Sequence, residues 1–117
     1  MDKSAKERAL DAKYSGLDSP DQVKRLLRDY NALKARQYTG DYDAVILLVD
    51  LATAIEKAGL TKRQREALTL VYFEDLSQVE AGKRLGTSKQ TVNRLVTVAT
   101  AKVARVYEEW TKVSLQK

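Results

Sequence analysis

The sequence predicts an all-α protein in which short N-terminal helices precede a helix-turn-helix with a long C-terminal recognition helix. Three observations point there. One Pro and five Gly in 117 residues leave little punctuation for many short strands. Apolar residues recur at three- and four-residue spacing through most of the chain. Two helical runs, QVEAGKRL and KQTVNRL, meet at a short turn, Gly86-Thr87-Ser88.

Residues 1–18 are polar with a weak helical pattern, which predicts a frayed helix or flexible arm. Ser19-Pro20-Asp21-Gln22 is a compact helix start, with a Ser cap, Pro at the first helical position and an acid in the first turn. Val23, Leu26, Leu27, Tyr30 and Leu33 then form one apolar stripe. Thr39-Gly40-Asp41 interrupts it, and a second helix is expected from about Asp41 to Ala58, with Val45, Leu48, Ala52 and Ile55 inward and Gly59 at its C-terminal cap. Residues 19–59 are thus read as a two-helix part, and residues 60–117 as the helix-turn-helix domain.

Within 60–117, Thr61 is the expected cap of a helix that buries Ala67, Leu68, Val71 and Tyr72. Ser77 caps the next, with Glu80 three residues on as in a capping box. That helix spans barely two turns before Gly86, which suits a left-handed residue at its end. Gly82 is small where the two helices of the motif approach, and a side chain larger than Ala there would hold them apart. Ser88 caps the last helix, whose first inward residues are Val92 and Leu95. Val103, Val106, Tyr107 and Trp110 extend its apolar stripe to about Lys112; the favoured reading folds this stripe back on the N-terminal helices as core, and the alternative makes it a homodimer interface.

Charge is distributed unevenly. Residues 1–59 hold ten Lys/Arg and ten Asp/Glu, whereas residues 60–117 hold eleven and six, so the net charge of +5 belongs to the second half. No acid occurs between Glu80 and Glu108, a window with Lys83, Arg84, Lys89, Arg94, Lys102 and Arg105. Such a field attracts a polyanion. The chain has no Cys and no His, which removes disulfides, thiolate nucleophiles, imidazole bases and the usual zinc ligands. No enzyme activity, cofactor or metal is expected. The longest apolar run, residues 44–49, is far short of the ~20 residues of a bilayer span, and no signal peptide pattern opens the chain; a cytoplasmic protein without a membrane partner is expected.

Helical geometry assigns roles. If Val92, Leu95, Val96 and Ala99 face the core, Lys89, Gln90, Asn93 and Arg94 occupy the outer face of the first two turns, where recognition helices meet base edges. Gln and Asn match adenine, and Arg or Lys matches guanine or phosphate. Ser77, Gln78, Thr87 and Ser88, near helix starts, are suited to phosphate through side chains and backbone N–H groups. Arg63, Arg65, Lys83 and Arg84 are flanking phosphate candidates. The implied partner is double-stranded DNA.

The segment from Leu60 to Val103 resembles region 4 of the bacterial sigma factors and the small phage or prophage regulators built on that module. LTKRQREAL, VYFEDLS, GKRLGTS and KQTVNRL fall in the family's order and spacing. Ala81 and Thr87 depart from it, standing where larger aliphatics are usual. The resemblance implies a reader of promoter DNA that also touches RNA polymerase. The first 59 residues are too few and too neutral for the promoter-melting domain of a complete sigma factor, so the layout is most similar to phage transcription regulators. Two alternatives remain: a phage DNA-packaging or architectural DNA binder, and an interaction protein that occupies RNA polymerase without reading DNA.

Overall fold

The structure, a computed structural model, describes residues 14–115. Among these are six α-helices and no strand: α1 (Pro20–Arg28), α2 (Tyr30–Tyr38), α3 (Tyr42–Lys57), α4 (Lys62–Leu68), α5 (Gln78–Leu85) and α6 (Lys89–Leu115). A π-helical turn, Thr69–Phe73, continues α4.

The N-terminal part differs from the sequence reading in three ways. Residues 1–13 of the expected arm lie outside the described residues, but Tyr14, within it, is packed: its ring is buried and its hydroxyl donates to Asp29 Oδ2 at 2.7 Å. The stripe from Val23 to Leu33 runs over two helices, giving three helices in 19–59 instead of two. Asp29 ends α1, its amide shared between the carbonyls of Arg25 and Leu26 at 3.2 Å each, and its own carbonyl accepts from Leu33 to open α2. Val23, Leu26, Leu27 and Leu33 are all buried despite the break.

The third difference lies in α3. Asp41 caps it, accepting from the Ala44 amide at 3.3 Å and pairing with Arg36 at 2.6 Å. Its buried face is Ala44, Leu48, Leu51 and Ala54, with Ile55 partly buried; Val45 is half-buried and Ala52 exposed. The uninterrupted apolar run over residues 44–49 carries no polar residue to set the phase of the helix, so periodicity alone does not choose its inward side. Gly59 follows α3 in the left-handed region at φ 69°.

Two cores meet along α6. The larger joins Tyr14, α1, α2 and α3 to Leu68 of α4 and to Ala99, Val103, Ala104 and Tyr107 of α6. The smaller consists of Ala67, Ala81, Val92 and Val96. Tyr72 packs against both. The 27 residues of α6, about 40 Å long, therefore serve the helix-turn-helix with the first turns and the N-terminal helices with the later ones. The C-terminal stripe lies in the chain's own core: Val103 and Tyr107 are buried, Val106 and Trp110 partly so, and the Tyr107 and Trp110 rings meet edge to face at 5.2 Å. The core crosses the boundary drawn at residues 59 and 60.

Candidate nucleic-acid interface

Each helix of the module starts at a cap that the local sequence specifies. Thr61 Oγ1 accepts from the Gln64 amide at 3.2 Å, and Gln64 Oε1 accepts from the Thr61 amide at 3.0 Å, a reciprocal capping box. Ser77 Oγ accepts from the Glu80 amide at 3.1 Å. The carboxylate of Glu80 does not return to Ser77; it pairs with Lys83 Nζ at 3.5 Å, so only half of the expected box forms there. Ser88 Oγ accepts from the Thr91 amide at 3.1 Å and lies the same distance from Thr91 Oγ1.

Between α4 and α5 the chain widens into the π-helical turn, where the Glu74 amide reaches the Thr69 carbonyl at 2.9 Å and the Leu76 amide reaches that of Leu70 at 2.9 Å. Phe73 is thereby set edge to face with Tyr30 at 4.6 Å, tying the module to α2. Asp75 takes φ 57°, an uncommon backbone for a non-glycine residue, in which Asp and Asn are the better tolerated types. Neither feature is among those expected from the sequence.

The turn between α5 and α6 follows the expected pattern. Gly86 is left-handed, with φ 67° and ψ 37°, and its amide donates to the Lys83 carbonyl. The Thr87 amide donates to the Gly82 carbonyl at 2.8 Å, completing a glycine C-cap. Gly82 is buried against this turn. A Cβ there would stand 2.7 Å from the Thr87 carbonyl oxygen and 3.3 Å from the Ser88 carbonyl carbon, so the restriction is tighter than expected and the obstacle is turn backbone.

The first turns of α6 then divide by face. Val92 and Val96 are buried and Leu95 is half-buried, while Lys89, Gln90, Asn93 and Arg94 are all exposed. Thr97 and Val98 continue the exposed side one turn further, positions that the sequence reading did not single out. Four polar side chains carrying amide and cationic donors thus stand together with a rigid apolar support behind them.

The flanking candidates separate more sharply. Arg65, Lys83 and Arg84 are exposed, and Arg65 and Arg84 line one groove between α4 and α5 together with Glu66 and Glu74. Arg63 is engaged: its Nη1 donates to the Leu85 carbonyl at 2.9 Å, placing a cation on the C-terminal end of α5. The amide of Thr87 is taken up by Gly82, which leaves its hydroxyl, and not its backbone N–H, for an outside ligand. Ser77 is exposed and Gln78 half-buried at the start of α5. Lys102, in the acid-free window, donates to Gln64 Oε1 at 2.9 Å and fastens α6 to α4.

Among the described residues no group of acids could hold a metal ion, and no helix is long and apolar enough to cross a membrane. Residues 58–105 match the profile of sigma-70, region 4. A UPF0251 protein of Syntrophobacter fumaroxidans is 45% identical over 56 residues, covering 48% of this chain and 36% of its own. The UPF0251 protein PF0620 of Pyrococcus furiosus and TK0562 of Thermococcus kodakarensis are each 48% identical over 50 residues, covering 43% of this chain and 46% and 44% of theirs. The chain thus spans less than half the length of the curated relatives it matches. No solved structure matches. Fold, turn geometry and profile agree that this region folds as a helix-turn-helix similar to sigma-70, region 4.

Proposed function

We propose that this protein is a sequence-specific transcription regulator that binds promoter DNA by placing the first two turns of α6 in the major groove. The observation that carries this reading is the joint exposure of Lys89, Gln90, Asn93 and Arg94 opposite buried Val92 and Val96. These side-chain types supply the bidentate donors and acceptors that distinguish adenine and guanine in the major groove. Exposed Arg65, Lys83 and Arg84, with Ser77 at the start of α5, supply the backbone grip that fixes register. Selection of bound fragments from a random duplex pool tests the reading, and a short enriched motif is expected. Binding without enrichment would replace it with an architectural or packaging role. Failure to bind any duplex, together with retention on RNA polymerase, would replace it with an interaction protein.

A further inference from the structure

The N-terminal helices reach the helix-turn-helix at a groove where Arg28 and Asn31, from the junction of α1 and α2, stand with Tyr72, Asp75, Ser77 and Gln78. Arg28 and Asn31 are exposed, and neither side chain bonds to another described residue. Half-buried Tyr72 lines the same groove. Burial pushes its phenol pKa up, and the nearby Arg28 charge opposes that shift. Ser77 and Gln78 begin α5, the first helix of the motif, and in this class of module that helix crosses the DNA backbone.

We propose that Arg28 and Asn31 bind the sugar-phosphate backbone of the same duplex whose major groove receives α6, continuing the contact made by Ser77 and Gln78 onto the N-terminal helices. This rests on the reading of α5 and α6 as a DNA-binding pair. It gives residues outside the sigma-type region a direct part in binding: a guanidinium and an amide, both donors, meet the phosphate line beside the start of α5. Asp75 lines the same groove and opposes an anion there. The groove therefore contains its own control, because removing that one negative charge acts in the direction opposite to removing Arg28.

The test titrates the full chain and its Arg28→Ala, Arg28→Lys, Asn31→Ala and Asp75→Asn variants onto the selected duplex and a scrambled one at several salt concentrations. Arg28→Ala is expected to weaken binding severalfold on both duplexes and to flatten the salt slope by about 0.9. Arg28→Lys should keep the slope, Asn31→Ala should weaken both duplexes equally, and Asp75→Asn should tighten both, all without a change in melting temperature. Wild-type affinity and slope in Arg28→Ala, while Asn93→Ala still loses the selected duplex, overturns the inference and leaves the DNA-binding reading standing. A fall in melting temperature in Arg28→Ala that accounts for its lost affinity assigns the residue to packing and also overturns it. If the unaltered chain binds neither duplex, both readings fail together.

Discussion

Gly82 meets the turn of the helix-turn-helix at both backbone groups of Thr87. The Thr87 amide donates to the Gly82 carbonyl at 2.8 Å, and the Thr87 carbonyl stands 2.7 Å from where a Cβ on residue 82 would lie. A side chain there must push the turn, and with it the start of α6. Gly82→Val is expected to cost roughly 1 to 3 kcal/mol through overpacking. Gly82→Ala should cost less, since Ala in place of Gly in a helix interior returns about 1 kcal/mol of propensity. Denaturant melts of the two variants check the order; a Val variant as stable as the parent would show that the turn yields freely.

The bond from Arg63 to the Leu85 carbonyl separates stability from DNA binding. Arg63→Ala should lower stability by roughly 0.3 to 1 kcal/mol, the usual worth of a cation at a helix C-terminus, and leave the salt slope of DNA binding nearly unchanged. Lys83→Ala or Arg84→Ala should do the reverse, weakening all duplexes alike and flattening the slope by about 0.9 per phosphate contact. Salt titrations beside thermal melts distinguish the groups. A slope change in Arg63→Ala as large as in Arg84→Ala would restore Arg63 to the phosphate set.

The two buried tyrosines with raised pKa values differ in their hydroxyls. Tyr14 donates to Asp29, and its pKa is raised first by burial and then by that carboxylate. Tyr107 is raised by burial and, less, by Asp50, and among the described residues its hydroxyl has no hydrogen-bond partner. Both shifts favour the neutral phenol in the folded chain. Their contribution is therefore fully present below the unfolded value near 10 and is lost as pH rises above it. Tyr14→Phe should cost about 0.5 to 1.5 kcal/mol at pH 7. Tyr107→Phe should not lower stability at pH 7, since it removes an unpaired buried polar group, and should reduce the decline between pH 9.5 and 11. Denaturant melts at both ends of that range decide; a large loss for Tyr107→Phe at neutral pH would mean that its hydroxyl is satisfied.

The features legible in the sequence are those with local causes. The caps at Thr61, Ser77 and Ser88 and the left-handed Gly86 depend on residues within one turn of themselves, and each lies where the sequence places it. The outward set on α6 was legible because Val92 and Val96 give that helix a clear phase. Features set by tertiary contacts were not. The inward face of α3 is chosen by its neighbours, because residues 44–49 are apolar on every side. The break at Asp29 occurs within a stripe that stays in register across it. Arg63 reads as a free surface cation until α5 is folded beside α4, and Arg28 is far in sequence from Ser77, with which it lines one groove.

The division of labour on α6 gives the most direct test of base reading. Asn93 and Arg94 lie one turn beyond Lys89 and Gln90, so the four side chains form one exposed patch supported by buried Val92 and Val96. Because none of the four is buried, each change to Ala should leave the melting temperature essentially unaltered. A residue making a bidentate base contact should cost about 1 to 3 kcal/mol on the selected duplex and much less on scrambled DNA. Gln90 and Asn93, which carry no charge to spend on phosphate, should show the largest difference between the two DNAs. Lys89 and Arg94 should lose affinity on both, with Arg94 retaining a sequence-dependent part if it reads guanine. Titrations of the four variants at fixed salt check this. Equal losses on both DNAs for all four would reduce the patch to a backbone grip and remove the claim of sequence specificity, while four unchanged affinities would show that this face of α6 does not meet DNA.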